Sequence, residues 1–368
     1  MSVAVGSRSI RLERRLHVDP RRSALIRVIG LLASLVVVAL LLAITGRDVP
    51  VLAGEILDTT LGTSFGLQST AVLATPILLD AIAVAIPLRM RLWNIGVEGQ
   101  FYVGALAAAG VGIYVDAPGP ILLVLMALAG ALGGALWILV PALARAFWNV
   151  NEIITTLLLN FVAIQWVTWF SIGPWRDKEA EVVSATPEVG ARLPVLIENG
   201  ILHIGFFLPL ILAAAFFVVF RSWRWGYEVD MIGGNPRAAE FAGVDVRRRI
   251  MSVMLLSGAL AGISGMVHLS GASGRLQGTI SNQYGLSGFI VAALAGASFV
   301  ALIAGGLFIA LLLASGVALQ GVGLSVYIVL AVYGLALIGI GVGEMASRYR
   351  LTIGDRREHP VGSERGPP

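Results

Sequence analysis

The chain has 368 residues, of which 57% are hydrophobic and only 13% are charged, and its mean hydropathy is +0.86. Because soluble domains carry about 25% charged residues, this composition predicts an integral membrane protein rather than a soluble enzyme or a disordered chain. The net charge of +4 comes from basic residues that alternate with apolar runs, which indicates orientation in a bilayer rather than nucleic-acid binding. Cysteine is absent and the four histidines are isolated in sequence, so neither disulfides nor a metal site is expected.

Apolar segments long enough to cross a hydrocarbon core of ~30 Å recur along the chain. They predict an all-α integral membrane fold with about ten transmembrane helices. The predicted spans are residues 24–44, 70–88, 95–114, 120–143, 153–171, 203–220, 250–269, the stretch 286–318 as two short or tilted helices that break near Gly296–Ser298, and 322–342.

The basic residues predict the orientation. With the N-terminus in the cytoplasm, 21 of the 26 Arg and Lys residues fall on the cytoplasmic side, as the positive-inside rule requires. Ten spans return the Arg-rich C-terminus to the cytoplasm, whereas a single helix over 286–318 would not. The expected organisation is an Arg-rich cytoplasmic segment at 1–23, a transmembrane domain at 24–342 and a disordered cytoplasmic tail at 343–368.

Two segments between spans stand out. The outer segment at 172–202 is rich in acidic residues and proline, and it is expected to form an ordered lid or short helices. Within the spans, glycines four residues apart occur at 130/134, 258/262 and 339/343. Since helices in lipid associate through close packing at small residues, these pairs predict helix–helix contacts.

Three acidic residues in or beside the spans are functional candidates, because a charge in the membrane is costly. Asp80 falls near the middle of the second span, where it either bonds to a neighbouring helix in its protonated form or lies on a pathway. Glu98 follows Arg89 and Arg91, so an ion pair with one of them is preferred to a contact with a solute. Glu152 begins the fifth span, where a negative charge favours the helix N-terminus.

A polar stripe continues along the fifth span. Asn151 is expected to cap its first turn, and Thr156 and Asn160, four residues apart, share one face with Glu152. Such a stripe either bonds to another helix or lines a wet path, and the sequence favours neither.

The cytoplasmic loop at 221–249 contains a short helix signal. Asn235 suits an N-cap, Pro236 suits the first helical position and Gly243 suits the C-terminal stop. The predicted two-turn helix presents Phe241 on a small apolar face. Because so short a helix is unstable alone, it is expected to dock, either on the membrane surface or, preferably, in a groove of a partner protein.

Three elements together resemble the permease subunits of ABC importers of the branched-chain amino acid, simple-sugar and nucleoside class. Residues 92–101 (LWNIGVEGQF) resemble its N-I-G-x-E-G-Q element, and residues 151–160 (NEIITTLLLN) resemble its N-E-[VI]-I-x-T-x-x-L-N element. Residues 234–243 (GNPRAAEFAG) are similar to the element that couples the permease to its ATPase. The match is closest to the nucleoside and simple-sugar branch.

The resemblance implies a ten-helix importer fold with an internal inverted repeat in the plasma membrane. It implies a partner ATPase that binds ATP and Mg, a second permease subunit that is identical or different, and a solute-binding lipoprotein or periplasmic receptor. The implied ATPase-coupling residues are Asn235, Pro236, Arg237, Ala238, Ala239, Phe241, Ala242 and Gly243. Asn94, Glu98, Gln100, Phe101, Thr156, Asn160, Trp166 and Asp80 are candidate substrate-pathway residues.

The chain itself is not expected to be an enzyme. Its one lysine, Lys178, follows Asp177 rather than glycine, so the P-loop motif of ATPases is missing. The expected function is therefore the pathway of an ATP-driven importer for a nucleoside or simple sugar, with branched-chain amino acids as an alternative substrate. The rival class is an ion-coupled secondary transporter in which Asp80, Glu98 and Glu152 carry protons.

Overall fold

The computed structural model describes residues 2–5, 8–14, 20–44, 46–179, 184–296, 298–321 and 323–355. The chain divides into two units, one of residues 1–54 with 319–368 and the other of residues 55–318. The helices in chain order are α1 (Pro20–Ile44), α2 (Val49–Thr60), α3 (Ser64–Leu88), α4 (Val97–Tyr114), α5 (Gly119–Trp148), α6 (Glu152–Ile172), α7 (Phe207–Ser222), α8 (Arg224–Gly234), α9 (Pro236–Phe241), α10 (Val246–His268), α11 (Tyr284–Ala295), α12 (Phe299–Gly321) and α13 (Val326–Arg348).

Seven of the described helical segments are long and apolar enough to cross a membrane, which confirms a multi-pass membrane protein. They are Ser64–Leu88, Gly119–Trp148, Glu152–Ile172, Ile204–Ser222, Val246–Ser273, Phe299–Gly321 and Val326–Gly343. Helices α1, α4 and α11 coincide with the other three predicted spans; α1 has 25 residues, α4 has 18 and α11 has 12. The predicted break is confirmed, since α11 ends at Ala295, α12 begins at Phe299 and Gly296 has a φ of +61°.

The larger unit is held together by contacts of α10 with α3, α4 and α5. The predicted glycine packing is confirmed where α5 meets α10. A Cβ atom added to Gly134 would overlap the carbonyl oxygen of Gly258, and one added to Gly262 would overlap that of Gly130. These two glycine pairs therefore bring the helix backbones into contact, as expected for packing in lipid.

The smaller unit pairs α1 with α13 by the same device. A Cβ atom added to Gly30 would lie 2.7 Å from the carbonyl oxygen of Gly339 and 2.9 Å from the Cα atom of Gly343. This unit also contains an antiparallel sheet in the order β1 (Ser2–Val5), β2 (Arg8–Arg14) and β3 (Tyr349–Asp355).

The sheet and α13 change the expectation for the C-terminal tail. Residues 343–355, predicted to be disordered, continue α13 to Arg348 and then form β3, which pairs with β2 from Arg14 to Arg8. The cause is a pairing between the two ends of the chain, which composition does not reveal. Residues 356–368 lie outside the described part of the chain.

Of the two alternatives for the outer segment, an ordered lid or short helices, its described residues at 173–179 and 184–203 contain no helix. It is held by contacts to α4 and to the chain after α10. Arg275 Nη1 lies 2.6 Å from Asp177 Oδ2, the Thr186 amide donates to the Leu276 carbonyl, and the Gly190 amide donates to the Gly112 carbonyl. This segment is ordered by long-range contacts rather than by local helix formation.

Candidate functional site

The short helix predicted in the loop at 221–249 is present as α9. The Asn235 side chain accepts hydrogen bonds from the amides of Arg237 (3.1 Å) and Ala238 (3.3 Å), and Pro236 is the first helical residue. Gly243 adopts a φ of +83°, a left-handed conformation that favours glycine and ends the helix. The helix has six residues, slightly fewer than the two turns predicted.

The apolar face of α9 is turned outward. Phe241 is 94% exposed, and Ala238 and Ala242 on the same face are also exposed, whereas Ala239 is fully buried. The large aromatic side chain of this capped helix is therefore left uncovered by the rest of the unit.

Helix α8, directly before α9, was not predicted. The Glu228 carboxylate is buried between Arg224, at 2.7 Å, and Arg249 of α10, at 2.5 Å. The hydrogen bond from Arg224, together with the charge of Arg249, lowers the pKa of Glu228, so the carboxylate is charged at neutral pH. A signal was available in the sequence, because Arg224 and Glu228 are four residues apart, the spacing of helix ion pairs.

The candidate pathway residues around Asn94 form a buried polar cluster at the start of α4. The side-chain amides of Asn94 and Gln100 bond to each other reciprocally, at 2.8 and 2.9 Å. The Asn94 Nδ2 group also donates to the Ser257 hydroxyl of α10, which itself donates to the Ala83 carbonyl of α3. Asn94 therefore fastens the turn before α4 to α10 and α3, and Ser257 is a member that sequence analysis missed.

Glu98 caps a different helix. The Gly285 amide in the first turn of α11 donates to Glu98 Oε2 at 2.7 Å. Gln283 occupies the N-cap position of α11, but its side chain makes no capping hydrogen bond. The carboxylate of Glu98 takes the place of the usual capping side chain. The expected ion pair with Arg89 or Arg91 was wrong, because Glu98 faces α11 and Arg89 binds Asp230.

The polar face of α6 contacts the same cluster. Asn160 donates to the Ile95 carbonyl and accepts from the Gly99 amide, both at 2.8 Å. Thr156 donates to the Glu152 carbonyl within α6, at 2.6 Å. The polar stripe was expected either to bond to another helix or to line a wet path. Asn160 bonds to another helix, since its side chain contacts the start of α4.

The start of α6 follows the prediction. Asn151 caps the helix by accepting from the Ile153 amide at 2.9 Å. The Glu152 carboxylate accepts from the Trp93 amide at 3.2 Å and pairs with Arg145 at 3.3 Å. Glu152 thereby ties α6 to the turn before α4 as well as to the end of α5.

Asp80 is fully buried in α3, and neither of its carboxylate oxygens has a hydrogen-bond partner in the described residues. The nearby Ser264 hydroxyl donates instead to the Pro76 carbonyl. The backbone of α11 approaches closely, since a Cβ atom added to Gly288 would lie 2.8 Å from the Asp80 Cβ. Asp80 is thus the candidate whose polar atoms are not used by the fold.

The aromatic candidates separate. Phe101 is fully buried, with ring centroids 5.9 Å from His268 and 6.0 Å from Tyr284. Trp166 is 51% exposed on α6 and lies 5.2 Å from the Trp137 ring. The buried candidates therefore lie on α3, α4 and α6 and in the turn before α4, whereas Trp166 is outside this group. They are Asp80, Asn94, Glu98, Gln100, Phe101, Thr156 and Asn160.

A separate groove of about 590 Å³ lies between α5, α7 and α10. Apolar residues and one glycine line it, and none of the candidate pathway residues does. In the described residues there is also no group of three or more His, Cys, Asp or Glu arranged to hold a metal.

Comparisons with known proteins identify relatives over most of the chain. The profile of the family described as "Branched-chain amino acid transport system / permease component" matches residues 66–341. The glucose ABC transporter permease protein TsgB13 of Haloferax volcanii is 34% identical over 361 residues, which cover 93% of this chain and 95% of the relative. No solved structure shows a significant match.

Two nucleoside permeases are also similar. The guanosine ABC transporter permease protein NupP of Bacillus subtilis is 30% identical over 284 residues, or 76% of this chain and 81% of the relative. The nucleoside ABC transporter permease protein NupB of Lactococcus lactis is 26% identical over 263 residues, or 68% and 71%.

Proposed function

Because the chain belongs to the permease family of branched-chain amino acid transport systems, we propose that it imports a nucleoside or a simple sugar as the membrane-spanning subunit of an ATP-driven transporter. The substrate class is supported by relatives named for glucose, guanosine and nucleosides. The chain is a multi-pass protein of the plasma membrane, consistent with its seven long apolar helices.

The observation that carries the proposal is α9. The Asn235 side chain caps its first turn, and its largest side chain, Phe241, is 94% exposed. Helix α9 is proposed to insert into a groove of the partner ATPase, with Arg237 and Glu240 as polar contacts at its rim. ATP binding and hydrolysis, together with the Mg ion, belong to that partner.

The proposed topology has ten spans with both termini in the cytoplasm. It is supported by the basic residues, 21 of 26 of which then lie on the inner side. Helices α1, α4 and α11 complete the ten with the seven long ones. At 12 residues, α11 extends about 18 Å, so it would cross only part of the core and rely on α3, which packs against it. The internal inverted repeat belongs to the same proposal.

The solute pathway is proposed to run beside the buried polar cluster of α3, α4 and α6. In this arrangement Asn94, Gln100, Thr156, Asn160 and Glu98 hold the helices in position. Asp80 and Phe101 are the side chains proposed to approach the solute, since the Asp80 oxygens have no hydrogen-bond partner in the described residues and Phe101 is the aromatic residue among the buried candidates. Trp166 would reach the solute only if the pathway extended along the exposed face of α6.

The proposed assembly contains this chain, a second permease subunit, the ATPase and a solute receptor. The test is reconstitution of that assembly in nanodiscs, followed by measurement of ATP hydrolysis with and without receptor loaded with guanosine or glucose. The proposal expects hydrolysis to rise when one loaded receptor is added. Hydrolysis that is insensitive to both loaded receptors would reject the assigned substrates, and failure of the ATPase to bind would reject the assembly.

A further inference from the structure

Arg89, the residue after α3, joins several elements on the cytoplasmic side of the larger unit. Its Nη1 atom lies 2.8 Å from both carboxylate oxygens of Asp230 in α8. Its Cζ atom lies 4.1 Å from the ring centroid of Phe220 in α7 and 5.8 Å from that of Phe299 in α12. The Arg89 side chain is only 16% exposed, so these contacts are partly shielded from water.

The backbone of α8 touches the same residue. Gly233 packs so closely that a Cβ atom added there would overlap the Arg89 carbonyl oxygen. Helix α8 is therefore attached to the turn between α3 and α4 twice, by an ion pair and by a backbone contact that requires glycine.

That turn leads directly into the buried polar cluster. Four residues after Arg89, the Trp93 amide donates to Glu152 of α6, and the next residue, Asn94, donates to Ser257 of α10. A displacement of the turn would consequently act on α6 and α10 together with the start of α4.

The same end of α8 adjoins α9. A single residue, Asn235, separates them; its amide donates to the Met231 carbonyl of α8 while its side chain caps α9. Glu228 further anchors α8 to Arg249 at the start of α10. Helix α9 is thus linked to the turn before α4 through α8 and the ion pair of Asp230 with Arg89.

We propose that Asp230 and Arg89 are positioning residues that transmit the movement of α9 to the turn between α3 and α4, and thereby set how much solute is moved per ATP hydrolysed. This inference rests on the proposed function, but it concerns a step after docking. It assigns the transmission to an ion pair between residues 141 positions apart, at neither the docking surface nor the solute pathway.

The test uses the complete reconstituted transporter and the isosteric change Asp230→Asn. Asp230 is 44% exposed, so the variant is expected to fold and to bind the ATPase normally. Uptake of labelled guanosine or glucose per ATP hydrolysed should fall about fivefold, the lower range of coupling between sites. Asp230→Glu, which keeps the charge, should stay within about twofold of wild type.

The matched control is Arg248→Gln. Arg248 pairs with Asp245 at 3.1 Å on the same cytoplasmic loop, but that pair links residues three apart and is largely exposed. The control should leave the ratio of uptake to hydrolysis unchanged. An unchanged ratio in Asp230→Asn, or an equal loss in Arg248→Gln, would overturn the inference.

A second measurement does not depend on the solute. Because the chain lacks cysteine, spin labels can be placed by Gly234→Cys, where α8 meets α9 and an added side chain meets open space, and by Arg91→Cys in the turn. In the complex with the ATPase, the distance distribution between the labels should stay single and narrow with and without ATP and vanadate. Adding Asp230→Asn should broaden or split it when nucleotide is bound, and an unaltered distribution would refute transmission through the pair.

The two levels of failure are distinguishable. If the wild-type complex hydrolyses ATP but takes up neither guanosine nor glucose, the substrate assignment fails, while the spin-label distances still decide the transmission step. If the ATPase does not bind at all, the proposed function fails and the transmission step fails with it.

Discussion

The replacement Phe241→Ala isolates the docking step from folding. Phe241 is 94% exposed in the permease, so its truncation removes almost no contact within this chain. If the ring is buried in the ATPase, the complex gains about 1.5–3 kcal/mol from that burial. At 1.4 kcal/mol per factor of ten, the variant should bind the ATPase about 10- to 150-fold more weakly.

The assay is titration of the purified ATPase into permease held in nanodiscs, with the melting temperature of the permease measured alone. The melting temperature should be unchanged, and Phe241→Asp should weaken binding further, because it places a charge in the groove. Tyr327→Ala is the matched control, since Tyr327 is 83% exposed at the start of α13. Wild-type affinity in Phe241→Ala, or an equal loss in Tyr327→Ala, would refute the docking argument.

Two further predictions concern stability. Gly262→Ala should cost about 1–3 kcal/mol of folding free energy through overpacking and so lower the melting temperature, because the added Cβ overlaps the Gly130 carbonyl. Gly341→Ala is the control, since open space surrounds that position and the melting temperature should not change. Burial, and secondarily the charge of Arg192, lowers the pKa of His203 to about 4, so the unfolded chain binds more protons than the folded one between pH 6.5 and 4. The contribution of neutral His203 to the free energy of unfolding is complete above pH 6.5 and is lost as the pH falls towards 4, at up to about 1.4 kcal/mol per pH unit. Melting curves of His203→Gln measured across this range should lack that part of the pH dependence.

Features encoded by local sequence were predictable. The apolar segments, the break at Gly296 and the cap at Asn235 each depend on residues within a few positions of one another, and the structure has them where expected. The glycine pairs at 130/134 and 258/262 are short-range patterns too, and they identified the α5–α10 contact because small residues are the main means of close packing in lipid.

Partner choice over long distances was not predictable. Glu98 lies near two arginines in sequence, yet its carboxylate caps α11 at a separation of 187 residues. Arg89, one of the two arginines expected to pair with Glu98, instead binds Asp230 in α8, a helix that the sequence did not predict. In each case several partners satisfy the charge equally well, and only the three-dimensional packing of α3, α8 and α11 selects one.

Long-range pairing also explains why the strands near the two ends of the chain were not predicted. An Arg-rich segment and a Gly- and Pro-containing tail each lack a strong strand pattern, but β2 and β3 satisfy one another's backbone groups once they are brought together. Neither segment predicts the strand without the other.

The energy source for uptake tests the central claim most directly. Labelled guanosine and glucose uptake would be measured in proteoliposomes that hold either the complete assembly or this chain alone, with ATP or an imposed proton or sodium gradient as the only driving force. The account predicts accumulation only for the assembly supplied with ATP, and none for the chain alone. Accumulation by the isolated chain under an ion gradient would contradict it.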